Sequence, residues 1–158
     1  YSDRMGEMYR KITDGQLYHL RDYKIGPCHA CDYCKEINIG ECIQRDDMAP
    51  LYKDIRECDT IAIFSPVYWW QVSAQAKLFI DRLYALQKED LEGKKLVVVV
   101  NGEEKDGDKE YQVLNSAFLM MADYLKMDLR FLGLGTDGEE SWKDKEKWVE
   151  EFLQSTLN

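Results

Sequence analysis

The sequence predicts an α/β fold, with a mainly parallel sheet and helices packed on both of its faces. Three observations carry that prediction. Thr60 to Phe64 (TIAIF) and Leu96 to Val100 (LVVVV) are uninterrupted apolar runs, the pattern of strands buried on both faces. Between and around them lie stretches with apolar residues at i, i+3, i+4 and i+7, the signature of amphipathic helices. Strands and helices therefore alternate, and alternation implies parallel strands joined by helical crossovers.

The elements follow in order. Met5, Met8, Tyr9 and Ile12 form one apolar stripe and predict an opening helix, with Ser2 as its N-cap. Residues 16–20 (QLYHL) are a short strand candidate. Residues 24–46 show no period and read as a loop. Met48, Leu51, Tyr52 and Ile55 repeat the helical stripe, and Pro50 suits a first helical turn, where its missing N–H costs nothing. The TIAIF strand comes next. Ala76, Phe79, Ile80 and Leu83 mark another helix, followed by the LVVVV strand. Leu114, Ala117, Phe118, Met121 and Leu125 mark a further helix, and residues 129–134 (LRFLGL) a further strand. Ser141 with Asp144 resembles a capping box opening a last helix, continued by Trp148, Val149, Phe152 and Leu153.

Bulk properties bound the function. A chain of 158 residues, 45% apolar and 32% charged, fits one globular domain spanning 1–158, with no internal repeat or linker. A net charge of -9 argues against nucleic acid, whose phosphates require clustered Lys and Arg. The apolar runs are too short to span a bilayer, and no signal peptide is visible. There are five cysteines, four of them between positions 28 and 42. An odd count without a secretion signal points to a reducing, cytoplasmic compartment, where clustered cysteines serve metals or redox chemistry more often than disulfides.

One piece is short. A doubly wound domain of flavodoxin type has strand order 2-1-3-4-5, with strand 1 in the middle. Here a helix comes first, and the strand that should feed it is not seen. The expectation is an N-terminally truncated flavodoxin-like three-layer sandwich, lacking its first strand and the loop after it, about fifteen residues by typical lengths.

Ligands of open α/β sheets bind at the carboxyl ends of the strands, near the switch point in strand order. Directly after TIAIF stand Ser65, Pro66, Val67, Tyr68, Trp69 and Trp70 (SPVYWW). A flat π-system would give these aromatics a stacking partner. A subunit interface, where aromatics are also enriched, is the alternative, and one shared site would satisfy both.

Asp46–Asp47–Met48, Cys58–Asp59 and the run SPVYWWQVSAQAKLFIDR (65–82) resemble the NADPH-dependent FMN reductase family. Lys77, Phe79, Asp81 and Arg82 match that family's K-x-F-x-D-R helix. The resemblance implies a flavodoxin-like fold, bound FMN, and flavin reduction by NADPH or NADH, with electrons passed to a small-molecule or protein acceptor. The cofactor carries the hydride chemistry in such enzymes, so no protein acid or base is singled out as catalytic. The family's phosphate loop should precede the first helix, and Ser2 matches its final hydroxyl residue. Asn101 and Gly102, after LVVVV, match a second loop facing the flavin, with a simple turn as the alternative. The family also implies a homodimer or homotetramer.

Cys28, Cys31, Cys34 and Cys42 form the pattern C-x2-C-x2-C-x7-C. This compact spacing resembles the motif of iron–sulfur flavoproteins, which implies a [4Fe–4S] cluster. Zinc, a redox-sensing thiol group and cysteines that merely pack are the alternatives. Cys58 reads as a small buried hydrophobe. His19 and His29 read as structural, and residues 102–110 (GEEKDGDKE) as an exposed loop. Asp81 and Arg82, adjacent on a helix, do not face each other, and a packing or subunit salt bridge is expected of them. Two further functions stand beside the reductase: a flavin electron carrier that does not oxidise nicotinamide, and a flavin-free thiol or metal sensor.

Overall fold

A computed structural model describes residues 1–136 and 139–158, with the side chains of 139–141 outside the described set. The sequence-predicted capping box at Ser141 therefore lies outside the described residues. The fold is a four-stranded sheet between helices, with strand order β2-β1-β3-β4. β1 (Thr60–Tyr68), β3 (Lys95–Gly102) and β4 (Asp128–Gly135) run parallel. The register pairs Thr60 with Lys95 and Lys95 with Asp128, so all three strands begin level and end on one carboxyl edge. β2 (Gln71–Val72) folds back antiparallel on the end of β1, pairing Val67 with Val72 and Tyr68 with Gln71.

Alternation along β3 sends its side chains to two separate cores. Leu96, Val98 and Val100 face one core, Val97 and Val99 the other. The first core is closed by α3 (Met48–Glu57), α4 (Ala74–Arg82) and α5 (Lys109–Leu125) through residues such as Leu51, Ile55, Ala76, Leu114 and Phe118. The second is closed by α1 (Ser2–Thr13) and α6 (Glu139–Ser155) through Met5, Tyr9, Trp142, Val149 and Leu153. Tyr9 and Thr156 share a buried hydroxyl–hydroxyl bond of 3.0 Å that ties the two helices together. The predicted α/β class, the parallel sheet and the helical stripes are all present.

The structure corrects four local expectations. Residues 16–20 are not a strand, because a strand needs a neighbour to take its backbone bonds. The segment follows α1, has no ladder partner among the described residues and ends in a single 3-10 turn, Leu20–Asp22. The TIAIF strand is longer than its apolar run and continues through Ser65–Tyr68, because Ser65 and Pro66 pair with Val100 and Asn101. The region 24–46 contains one short helix, α2 (Tyr33–Glu36). Ser2 does not cap α1: Tyr1 holds that position without a side-chain cap, and the Ser2 hydroxyl instead donates to Asn101 Oδ1 at 2.8 Å.

β1 has a neighbour on one side over its whole parallel length. On the other side, among the described residues, only Val67 and Tyr68 are paired. Between this edge and the segment 15–21 runs a trough of about 1160 Å³, walled by Ile61, Ile63 and Phe64 on one side and Leu17 and Tyr18 on the other. Its far end reaches Ser2, Pro66 and Tyr68 at the carboxyl edge of the sheet.

Candidate functional site

The carboxyl edge gathers most of the sequence-predicted site residues. Pro66 on β1 pairs with Asn101 on β3, and Ser2 at the start of α1 reaches the same Asn101. Three segments far apart in sequence thus meet at one place. Ser65 is wholly buried, and its hydroxyl is engaged within the loop: it donates to Pro66 O and accepts from Ser73 N, both at 2.9 Å. Its role in the geometry is to hold the turn that follows. Ser73 in turn caps α4, accepting from Ala76 N.

That turn is the unusual feature of the edge. Tyr68 and Gln71 pair across a two-residue loop made of Trp69 and Trp70. Both loop residues are left-handed, with φ of 51° and 58°. Positive φ at both central positions is the type I′ hairpin, which favours Asn-Gly. Two tryptophans there cost strain, and they gain no burial in return: Trp69 is 87% exposed, Trp70 58% and Tyr68 62%. Strained backbone and exposed aromatics coinciding at a strand terminus are typical of a ligand-contact site.

On the β3 side, Gly102 carries its carbonyl to Thr136, accepting from both its N–H at 2.7 Å and its hydroxyl at 3.0 Å. The acidic loop after it is exposed as expected over most of its length. It is also tied down, since Asp106 accepts from Gly135 N at 2.7 Å and pairs with Lys145 at 2.9 Å. Glu110, read with that loop, belongs instead to the first turn of α5. Tyr111 beside it is buried, and its hydroxyl donates to the carbonyls of Glu104 and Leu134. Burial, followed by the neighbouring Glu110, pushes the Tyr111 hydroxyl well above its ordinary pKa.

Arg82 makes the packing salt bridge expected of it, and its partner in this lock, which the sequence did not identify, is the family-like residue Asp46. Arg82 is 1% exposed and grips the Asp46 carboxylate with two bonds, 2.6 and 3.0 Å long. It also donates to Gly26 O, while Asp46 accepts from Gly26 N and Met48 N. Burial alone would disfavour both charges. Their mutual attraction outweighs it, holding the Asp46 carboxyl below its usual value and the Arg82 guanidinium above its own. Asp81, the other half of the expected pair, bonds Lys77 one helical turn away. Asp47 accepts from Lys24 N at 2.6 Å. Asp46 and Asp47 fasten the start of the cysteine loop, at Lys24 and Gly26, to the start of α3, and Asp46 also to α4 through Arg82. The signal that could have found the lock is the apolar surroundings of Arg82 on a helix otherwise facing the core.

Cys28, Cys31, Cys34 and Cys42 line one small cleft of about 20 Å³, beside Arg82 and Tyr84. Cys28 and Cys31 are exposed, and Cys34 is buried. Burial pushes the Cys34 thiol up, away from thiolate. Among the described residues no three His, Cys, Asp or Glu side chains converge to hold a metal. As placed, the four thiols therefore do not fit a metal centre. Cys58 is partly buried, packs against the core and has its thiol pushed up by burial, consistent with a small hydrophobe. No helix among the described residues is long and apolar enough to cross a membrane.

A parallel sheet covered on both faces, with an aromatic turn at its carboxyl edge, defines a flavodoxin-like α/β protein. Solved structures agree on the fold. The Trp repressor binding protein of Bacillus subtilis superposes with a TM-score of 0.66 at 18% identity, covering 99% of this chain and 89% of that one. The NAD(P)H:quinone oxidoreductase of Methanothermobacter marburgensis gives 0.64 at 17% identity, covering 99% and 90%. The family model of NADPH-dependent FMN reductases matches residues 3–128, and the chain belongs to that family. An iron-sulfur flavoprotein of Archaeoglobus fulgidus is 35% identical over 101 residues, 62% of this chain and 51% of that protein. Another, from Methanosarcina thermophila, is 31% identical over 71 residues, 45% of this chain and 36% of that protein. The matches span about half or less of the length of these curated relatives.

Proposed function

We propose that residues 1–158 form a single FMN-binding domain of an oxidoreductase that takes electrons from NADPH or NADH and passes them to an acceptor. The observation that carries this reading is the strained, exposed Trp69–Trp70 turn at the carboxyl edge of a chain in the FMN reductase family. The residues fit a flat, polar-edged cofactor. Trp69, Trp70 and Tyr68 offer aromatic faces, and Pro66 and Val67 offer backbone at the strand end. Asn101, already holding the Ser2 hydroxyl, fixes the distance between the start of α1 and the sheet. Ser2 is then in place to face the phosphate-bearing end of the cofactor, and the aromatic turn to shield its ring from water.

When bound, FMN would supply hydride and electron transfer. The chain's own part is positioning. A shared aromatic surface also supports assembly into a homodimer or homotetramer, and the thiol-rich composition supports a cytoplasmic setting. The test is an anaerobic absorption spectrum of FMN-reconstituted protein before and after NADPH. Bleaching of a bound-flavin spectrum is the expected result. Bound flavin that only dithionite or a partner protein reduces would make the protein an electron carrier. Failure to bind flavin would leave the thiol or metal sensor.

A second reading keeps Cys28, Cys31, Cys34 and Cys42 as ligands of a [4Fe–4S] cluster. What supports it is their common cleft and the naming of the curated relatives as iron-sulfur flavoproteins. It requires the loop to draw its thiols together. Iron and sulfide analysis of anaerobically purified protein decides it.

A further inference from the structure

Tyr111, Leu114, Phe118 and Ala122 form the buried face of α5. The same helix carries a second apolar stripe that faces solvent. Met120 is 75% exposed, and Val113, Ala117 and Tyr124 are exposed with it. Their spacing, i, i+4, i+7 and i+11, puts all four on one side of the helix. From Tyr111 to Ala122 the helix carries no charge, in a chain whose residues are 32% charged. On the opposite layer α6 has the same length, 17 residues, but its sequence holds nine charged residues against three in α5. A surface helix needs one apolar face, and a helix apolar on both sides is normally covered on both.

Two features name what covers it. The first is charge. Each chain carries -9, so two copies repel over most of their surface. They can meet only on a face from which charge has been removed, and a charge-depleted patch with Met and Tyr is the composition of an interface core. A partner recognised by its own charge would be met by charges instead. The second is symmetry. The gaps along the stripe are four, three and four residues, the same read in either direction. Antiparallel pairing about a two-fold axis at its midpoint therefore sets Val113 against Tyr124 of the second copy, and small Ala117 against long Met120. No apolar position is left over. The same pairing carries Lys109, at the start of α5, towards Asp123 near the end of the second copy's helix. Lys88, held 4.7 Å over the Tyr124 ring, supplies a cation at the rim.

We infer that the outer face of α5 is a homodimer interface, in which two copies pack this helix antiparallel. The inference rests on the self-association proposed above, and it seats that contact on α5 instead of the aromatic turn. A standard interface takes about 800 Å² from each partner. One helix face supplies less, so the dimer should be micromolar and its copies should exchange.

Sedimentation equilibrium of the full-length protein, over a concentration series through the micromolar range, should show monomers and dimers in balance. Met120→Glu and Met120→Lys should each raise the dissociation constant at least about tenfold, because each buries a charge against its own like. Mixing the two variants should restore dimers, and native mass spectrometry should find them to be mixed pairs. A misfolded variant would not be rescued in this way. Trp69→Ala with Trp70→Ala should dimerise as the wild type does. Dimers that persist unchanged in both Met120 variants overturn the inference while self-association stands. Variants that dissociate but stay monomeric when mixed overturn the antiparallel pairing. Loss of dimers in the tryptophan variant alone assigns the contact to the aromatic turn and overturns the inference. A wild-type protein that stays monomeric throughout overturns self-association itself, and the inference with it.

Discussion

Replacing Arg82 by Met tests whether the lock beneath the cysteine loop stabilises the fold. The substitution keeps a long side chain but deletes two bonds to Asp46 and one to Gly26 O. Breaking a buried ion pair by removing one partner costs about 3–5 kcal/mol. Asp46 retains its bonds from Gly26 N and Met48 N, and its side chain is 20% exposed. The cost should therefore lie near the lower end, about 3 kcal/mol, or a fall in Tm of roughly 6–12 °C for a chain of this size. Urea unfolding at pH 7, followed by circular dichroism, measures it. Asp46→Leu with Arg82→Met removes both charges and should recover most of the loss. A single variant within about 1 kcal/mol of wild type would refute the reasoning. The acid side carries a second check. The Asp46 carboxyl is held below its ordinary value of 3.8. Its contribution is thus present above that pH and is lost as pH falls through the lower, folded value. The gap between wild type and Asp46→Asn should close over that range.

Other perturbations address the rest of the molecule. Trp69→Asn with Trp70→Gly suits the left-handed turn, and thermal melts should show a gain of about 1–2 kcal/mol. The same variant should weaken FMN binding; unchanged affinity would remove these rings as flavin contacts. Tyr111→Phe leaves the carbonyls of Glu104 and Leu134 without their donor and should cost about 1–2 kcal/mol in urea unfolding. Burial, then the bond to Asp54, pushes the Tyr18 hydroxyl up to about 12 from 10.0. Its contribution is full below pH 10.0 and is lost as pH rises towards 12. Tyr18→Phe should flatten that alkaline loss, as read by stability measured against pH.

What was legible in the sequence had a local cause. LVVVV announces a central strand because both of its faces are buried, and the structure sends alternate residues of that run to two cores. The stripe Met48, Leu51, Tyr52 and Ile55 announces α3 for the same reason, and all four are buried. QLYHL misled because strand propensity is written in a segment, whereas its ladder depends on a neighbour. The β2 hairpin was hidden because Trp-Trp is not a turn-forming pair. The Asp46–Arg82 lock joins residues 36 positions apart, and no periodicity records such a pairing. Glu110 looked like one more charge in an acidic stretch. Only the start of α5 and the bare backbone at Gly102 turn it inward. The residues proposed for the flavin stand out in the sequence because an aromatic cluster after a buried strand has no core to fill.

The one-sided pairing of β1 also bears on how residues 1–158, taken by themselves, behave in concentrated solution. Over Thr60–Pro66 the strand pairs with β3 on one side only, so its remaining N–H and C=O groups form a template for any extended chain. Natural edges are usually guarded by lysines, prolines or bulges. Here the run TIAIF carries no charge, and Pro66 comes only at its end. Taken by themselves, these residues are kept apart at long range by their net charge of -9. Such repulsion reaches about 10 Å at 0.1 M salt and only about 3 Å at 1 M. Colloidal stability should therefore depend steeply on ionic strength. Conditions that screen the surface charge expose the chain to edge-to-edge growth long before they disturb its two cores.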